Sequence, residues 1–272
     1  MKTLRPLAQF LATLAAVSSV SAENDADAMR KLAQDALNPI ANMISVPIQY
    51  NANFRVGPSD KLQSVMTIQP VIPFTFDNDW LLVTRWVLPV IDQPDALGGS
   101  GSTFGLGDLA PAFFFVPPAS LTGLSPEFTI GFGPGLQVPT HTDPVLGIDE
   151  WGAGPTFLVV YSKDRLQLGL LAANTWSLGD GGEALNSMLL EPWIAYNITD
   201  EWYVLSDVQI TANWNAPSSD RWILPVGGGI GKTFHIGKQA MNVNLQAYWN
   251  VVHPDDGPDW SMVFTFQMLF PK

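Results

Sequence analysis

Residues 241–251 read MNVNLQAYWNV, and this stretch decides the fold class because apolar and polar side chains alternate along it. The apolar members are Met241, Val243, Leu245, Ala247, Trp249 and Val251. Successive side chains of a β-strand point to opposite faces, so the stretch has one apolar face and one polar face. The same alternation, interrupted by Gly, Pro, Asn or Asp, recurs from Ser45 to the end of the chain. The pattern predicts a succession of antiparallel strands.

The first 22 residues have the features of a secretion signal. Lys2 and Arg5 precede an apolar stretch from Leu7 to Val20, and the short side chains of residues 20–22 suit a signal peptidase. We therefore predict cleavage after Ala22. The apolar stretch is shorter than the roughly 20 residues that a membrane-spanning helix needs.

Composition narrows the classes of function. The chain has no cysteine, which excludes disulfides, thiolate metal sites and a lipid-modified N-terminal cysteine. The chain has 13 Lys and Arg and 25 Asp and Glu, so its net charge is −12. This negative charge argues against a nucleic-acid partner. Hydrophobic residues make up 47% of the chain although no long apolar helix is evident. Strands of a membrane barrel account for this, because every second residue can face lipid.

We predict about twelve strands, an even number as in bacterial single-chain barrels. The predicted strands are 45–56, 61–76, 80–92, 105–117, 127–140, 151–162, 165–178, 187–198, 201–215, 221–236, 239–252 and 259–270. Short turns alternate with longer acidic loops, and aromatic residues concentrate near both ends of the strands, as in outer-membrane barrels. Residues 45–272 are thus predicted to form an all-β transmembrane antiparallel β-barrel, with short turns in the periplasm and long loops outside.

The segment before the barrel, residues 23–44, is predicted to contain a short periplasmic helix. Its apolar residues fall on one helical face, and they are Met29, Leu32, Ala33, Ala36 and Leu37. Asp27 is the candidate N-cap, and Asn38-Pro39 is expected to end the helix. We expect this helix to lie at or in the periplasmic mouth of the barrel.

Alternation also predicts which side chains face the lumen. If Val46, Ile48 and Tyr50 face lipid, the polar residues that alternate with them from Gln49 onward face inward, and the same parity extends to later strands. The candidate lumen-lining residues are Gln49, Asn51, Arg55, Gln69, Arg85, Asp108, Glu191, Asp207, Gln209 and Asn213. Charges buried in a narrow barrel need partners or water, so Arg85 is expected to pair with Glu191 or Asp207. Such a lining fits either a filled interior or a permeation path. A barrel of twelve strands is wider than the small barrels with packed interiors and narrower than the open porins, so its width does not decide.

Motifs for catalysis are weak. Residues 227–233 read GGGIGKT, but Val226 replaces the first glycine of a phosphate-binding loop and the chain continues as a strand. The chain has three histidines, His141, His235 and His253, and no Gly-x-Ser-x-Gly motif. Rim histidines are commonly polar loop residues, so we predict neither an enzyme nor a cofactor or metal site.

Several segments carry a family resemblance. They are Asn38-Pro39-Ile40-Ala41-Asn42, residues 68–74 (IQPVIPF), residues 101–108 (GSTFGLGD), residues 224–229 (LPVGGG) and residues 269–272 (LFPK). In these the chain resembles the outer-membrane β-barrel family named for the meta-cleavage pathway of phenol degradation, from about Asn38 to the end. The resemblance implies a barrel transporter in the outer membrane and supplies no catalytic residue.

The sequence therefore predicts a channel for passive uptake or efflux of small molecules, with hydrophobic or aromatic compounds as candidates, in the outer membrane of a Gram-negative bacterium. One alternative is a structural or partner-binding barrel with a filled lumen, and a third is an outer-membrane lipid-modifying enzyme. The expected partners are outer-membrane lipids, lipopolysaccharide, the barrel assembly machinery and a small-molecule solute.

Overall fold

The protein is described by a computed structural model that covers residues 28–95, 99, 101–179 and 185–271. The predicted signal segment and Asp27 lie outside these residues. Within them the chain forms one closed antiparallel sheet and a helix, α1, at residues 28–37. No helix in the described part of the chain is long and apolar enough to cross a membrane.

Fifteen strand segments form the wall. Their bounds are β1 Ile44–Val56, β2 Lys61–Ile68, β3 Val71–Thr75, β4 Leu81–Pro94, β5 Ser102–Leu106, β6 Ala110–Val116, β7 Phe128–Gln137, β8 Gly152–Lys163, β9 Leu166–Ser177, β10 Asn186–Asn197, β11 Trp202–Asp207, β12 Ile210–Asn213, β13 Trp222–Ile236, β14 Gln239–Val252 and β15 Trp260–Phe270. A one-turn helix, α2 (Ala119–Thr122), and a 3₁₀ turn (Pro144–Leu146) lie in the connections.

Three pairs of segments are single wall strands that are interrupted: β2 with β3, β5 with β6, and β11 with β12. Both members of each pair contact the same neighbouring strand, β4 for the first two pairs and β13 for the third. The wall therefore has twelve strands. It closes because β1 pairs with β15, from Ile44 opposite Phe270 to Phe54 opposite Trp260. The predicted fold class and strand number are confirmed.

The predicted alternation is present in the wall. On β14, Asn242, Asn244 and Gln246 are buried in the interior, whereas Leu245 and Trp249 are exposed on the outer face. The connections also alternate as predicted. One end of the barrel, here called the short-turn end, carries the turns around residues 77–79, 164 and 237. The other, the long-loop end, carries the connection at residues 138–151.

Prolines weaken the wall on one side. Pro111 on β6 and Pro134 on β7 have no backbone N–H, and described pairing between these strands is confined to Ala112 with Gly135 and Phe115 with Phe132. Elsewhere a register shift precedes Pro225 on β13, and β2 stops just before Pro70. A bulge therefore accompanies Pro225, whereas at Pro111 and Pro134 a hydrogen-bond donor of the ladder is missing.

The N-terminal segment, residues 28–43, lies inside the short-turn end. Leu32, Ala36 and Met43 pack against Ala240 and Leu269 of the inner wall. Further along the segment, Ile40 is buried in the large apolar cluster described below.

Polar contacts hold the same segment to the short turns. Arg30 Nη2 lies 2.8 Å from Asp200 Oδ1, and Gln34 Nε2 donates to Asp164 O at 2.9 Å. Helix α1 therefore lies at the short-turn end, and it occupies part of the lumen.

Candidate functional site

The main cavity occupies the half of the barrel nearer the long loops and has a volume of about 590 Å³. Asp220, Arg221 and Pro254 border it at the long-loop end. At its inner limit it meets Gln69, Arg85 and Glu191, which also border a smaller cavity of about 100 Å³ above Ala36–Pro39. The lumen is therefore open in one half and filled by the N-terminal segment in the other.

Most of the predicted lumen-lining residues border this space. Those at the main cavity are Gln49, Asn51, Gln69, Arg85, Glu191, Gln209 and Asn213. Asp207 borders the smaller cavity and a third one of about 200 Å³ on the β14 side. The two remaining candidates, Arg55 and Asp108, lie at the long-loop end and have other contacts.

A charged layer crosses the lumen at the inner limit of the main cavity. Arg85 Nη1 lies 3.6 Å from Glu191 Oε2, and Arg85 Nη2 donates to Gln69 Oε1 at 2.8 Å. The predicted pairing of Arg85 with an inward carboxylate is therefore present. Asp207 belongs to the same layer, since its carboxylate interacts electrostatically with both Glu191 and Arg85. The layer lies directly above the N-terminal segment.

One wall of the lumen carries hydrogen-bonded polar side chains on β14 and its neighbours. Asn242 Oδ1 accepts from Tyr203 Oη at 2.7 Å and from Thr233 Oγ1 at 3.2 Å. Higher on the strand, Gln246 Nε2 donates to Asn244 Oδ1 at 3.0 Å. Because these buried polar groups bond to one another, this wall is fixed in shape.

The opposite wall is apolar, a feature that the sequence pattern does not predict. Phe114, Leu158, Val160, Leu171 and Trp193 point inward from β6, β8, β9 and β10, and all are buried. Their strands carry apolar residues on both faces, as in Phe113-Phe114-Phe115, so alternation in hydrophobicity cannot show which face is inward. A sequence feature that accompanies one of these inward side chains is a glycine on the neighbouring strand. A Cβ added to Gly169 would lie 1.9 Å from Cζ2 of Trp193, so this glycine makes room for an inward indole.

Asp108 holds a long loop against the inside of the rim. Its carboxylate accepts from His141 Nδ1 at 2.6 Å, from the backbone N–H of Ile148 at 2.7 Å and from Gln137 Nε2 at 3.1 Å. Two further backbone N–H groups of the loop, at Thr140 and His141, also donate to it. The loop at residues 138–150 is thereby fixed to the start of β6.

Replacing Asp108 with Ala is expected to release this loop. Each lost hydrogen bond to a carboxylate contributes about 1.5–3 kcal/mol, and five donors would be left without their acceptor. Proteolysis within residues 138–150 should become much faster in the folded barrel. Asp143→Ala, which removes a single cap to Val145 N in the same loop, is the matched control and should change the rate little. Equal protease resistance of Asp108→Ala and the parent would contradict this role.

Arg55 lies at the rim and does not border any of the cavities described above. Its backbone has φ of 65°, and the β1–β2 register shifts between Asn53 and Val56, so alternation does not carry through to this residue. The guanidinium pairs with Asp259 at 2.6 Å and with Asp60 at 3.5 Å, and 55% of its side chain is exposed. A β-bulge has therefore turned Arg55 toward the loop acids.

His141 and His253 lie beside carboxylates at the long-loop end. His141 is bound by Asp108, and among the described hydrogen bonds none joins its ring to a serine or threonine hydroxyl. His253 Nε2 lies 3.6 Å from Asp259 Oδ1 at the rim. The described residues contain no group of three or more His, Cys, Asp or Glu arranged to hold a metal ion.

Solved structures share this architecture. A COG4313 outer membrane channel from Pseudomonas putida F1 is 14% identical with a TM-score of 0.61, and the match covers 84% of this chain and 96% of that one. The NanC porin is 10% identical, with a TM-score of 0.49 over 84% and 100% of the two chains. Outer membrane phospholipase A from Escherichia coli is 10% identical, with a TM-score of 0.46 over 84% and 92%. No protein-family model and no curated protein matches the chain. The first comparison supports a shared barrel fold, and at these identities none carries function.

Proposed function

We propose that the protein is an outer-membrane channel through which small molecules pass without energy input. The observation that carries this proposal is the cavity of about 590 Å³, which extends from the long-loop end to the Arg85 layer inside a closed wall. Exposed apolar residues on the outer face, such as Leu245 and Phe264, suit contact with lipid. A solved outer membrane channel has the same barrel fold, so the fold is suited to this function.

Location and partners follow from this proposal. The short-turn end would face the periplasm and the long-loop end the outside, where lipopolysaccharide surrounds the rim. Residues 1–22 would direct secretion, and the assembly machinery would insert the barrel. Hydrophobic or aromatic compounds are the proposed solutes, because the apolar wall borders the main cavity through Phe114, Leu171 and Leu189.

Planar-bilayer recording of the refolded protein, together with swelling of liposomes in small solutes, tests the proposal. We expect discrete conductance steps and solute-dependent swelling. A silent barrel that is correctly folded would favour the second candidate, a structural barrel with a filled lumen. The packing of residues 28–43 within the short-turn end is the observation that favours this alternative. Lipid turnover by the purified protein would favour the third candidate, a lipid-modifying enzyme.

A further inference from the structure

The charged layer contains more acid than base. Glu191 is 6% exposed, and its Oε2 atom has no hydrogen-bond partner among the described residues. The Oδ1 atom of Asp207 is also buried and has no such partner. Within the described part of the chain, one guanidinium, that of Arg85, faces these two carboxylates.

A buried negative charge that lacks a partner is costly, so this layer favours an added positive charge. The other charged groups that border the same cavity, Asp220 and Arg221, lie at its long-loop end and have opposite signs. They supply no net positive charge. A cation that enters through the main cavity would supply the missing positive charge. A proton shared by the two carboxylates is the competing source of that charge.

The cavity next to this layer is divided between the two walls. Phe114, Leu171 and Leu189 border it on the apolar side, and Gln49 and Thr67 on the polar side. Its volume of about 590 Å³ lies within the range of roughly 300–1,000 Å³ typical of small-molecule sites. A molecule that places a positive group at Glu191 would therefore lay an apolar body along the wall above it.

We propose that the inner limit of the main cavity is a solute-binding site for a protonated amine that carries an apolar or aromatic body. Glu191, which borders the main cavity, accepts a hydrogen bond from the ammonium group, and the Asp207 carboxylate behind it adds negative charge. Arg85 limits the site to one positive charge, and the apolar wall contacts the body. This inference rests on the proposed channel function and narrows its solute class.

The first arm of the test compares three probes of similar size with the refolded full-length protein by isothermal titration calorimetry. Phenethylammonium is the cation, 2-phenylethanol the neutral analogue and 3-phenylpropanoate the anion. Hydrogen bonds to charged groups are the strong ones, so we expect the amine to bind about tenfold or more tightly than the alcohol. We expect 3-phenylpropanoate to have the lowest affinity.

The second arm removes one carboxylate at a time. Glu191→Gln and Asp207→Asn should each weaken phenethylammonium binding about tenfold to a hundredfold and leave 2-phenylethanol nearly unchanged. Asp79→Asn is the matched control, because it removes the same charge from an exposed turn at φ 62°, which asparagine tolerates. That control should bind like the parent.

Equal affinity for the three probes, or tighter binding of 3-phenylpropanoate, would overturn the inference, since a proton would then neutralise the charged layer. The first arm uses the parent protein, so this outcome does not depend on whether a variant folds. Conductance is recorded separately. A barrel that conducts without distinguishing the probes refutes the amine site alone, and a barrel that binds the amine without conducting refutes the channel alone.

Discussion

Deletion of residues 23–38 is expected to raise the single-channel conductance of the barrel several-fold. The described part of this segment fills the short-turn end through Leu32 and Ala36 against the inner wall, and through Leu37 against Tyr203 and Leu205. The deletion leaves the β1–β15 seam intact, because that pairing begins at Ile44. The wall should therefore assemble, and the lumen should open.

Planar bilayers in potassium chloride provide the measurement, with the full-length protein recorded under the same conditions. A point variant, Ala33→Glu, should act in the same direction, because Ala33 is completely buried and a carboxylate there would displace α1. Lys31→Ala is the matched control, since that side chain is 77% exposed. Unchanged conductance after the deletion would mean that another element, such as the loop held by Asp108, limits flow.

Arg85→Ala should have the second large effect. Breaking a buried ion pair by removing one partner costs about 3–5 kcal/mol, because the other charge stays buried without compensation. The free energy of unfolding should fall by about that amount. The reversal potential should shift toward cation preference, because Glu191 and Asp207 remain in the lumen.

Two variants make this prediction specific. The double variant Arg85→Ala, Glu191→Gln should recover part of the lost stability, because the uncompensated charge is removed. Arg55→Ala breaks exposed ion pairs at the rim and should cost only about 0–1 kcal/mol. If Arg85→Ala matched the parent in both stability and reversal potential, the charged layer would not contribute to either property.

The barrel itself was predictable from sequence because a wall that separates lipid from a polar interior imposes period two on its strands. Strand β14 shows this most clearly, since Asn242 to Asn250 face the lumen on alternate residues. The same rule gave the inward position of Arg85 and of Glu191. It left both Glu191 and Asp207 as partners for Arg85, because parity does not show which residues of distant strands meet across the lumen.

Three features could not be predicted because alternation carries no information about them. Phe114 and Trp193 face inward on strands that are apolar on both sides. Arg55 lies within a β-bulge, where the alternation of strand faces is interrupted. Ile40 and Met43 belong to the irregular stretch between α1 and β1, where no period indicates burial in the lumen.

The central claim is that solutes pass through the main cavity, and cysteine substitution in this cysteine-free chain tests it most directly. Leu189 borders the cavity, whereas its neighbour Leu190 points to the opposite, lipid-facing side of β10. A cationic thiol reagent added on the long-loop side during bilayer recording should reduce the current through Leu189→Cys. The current through Leu190→Cys should not change when the reagent is added. Unaltered current in both variants, with labelling at residue 189 verified by mass spectrometry, would show that permeation does not use this cavity.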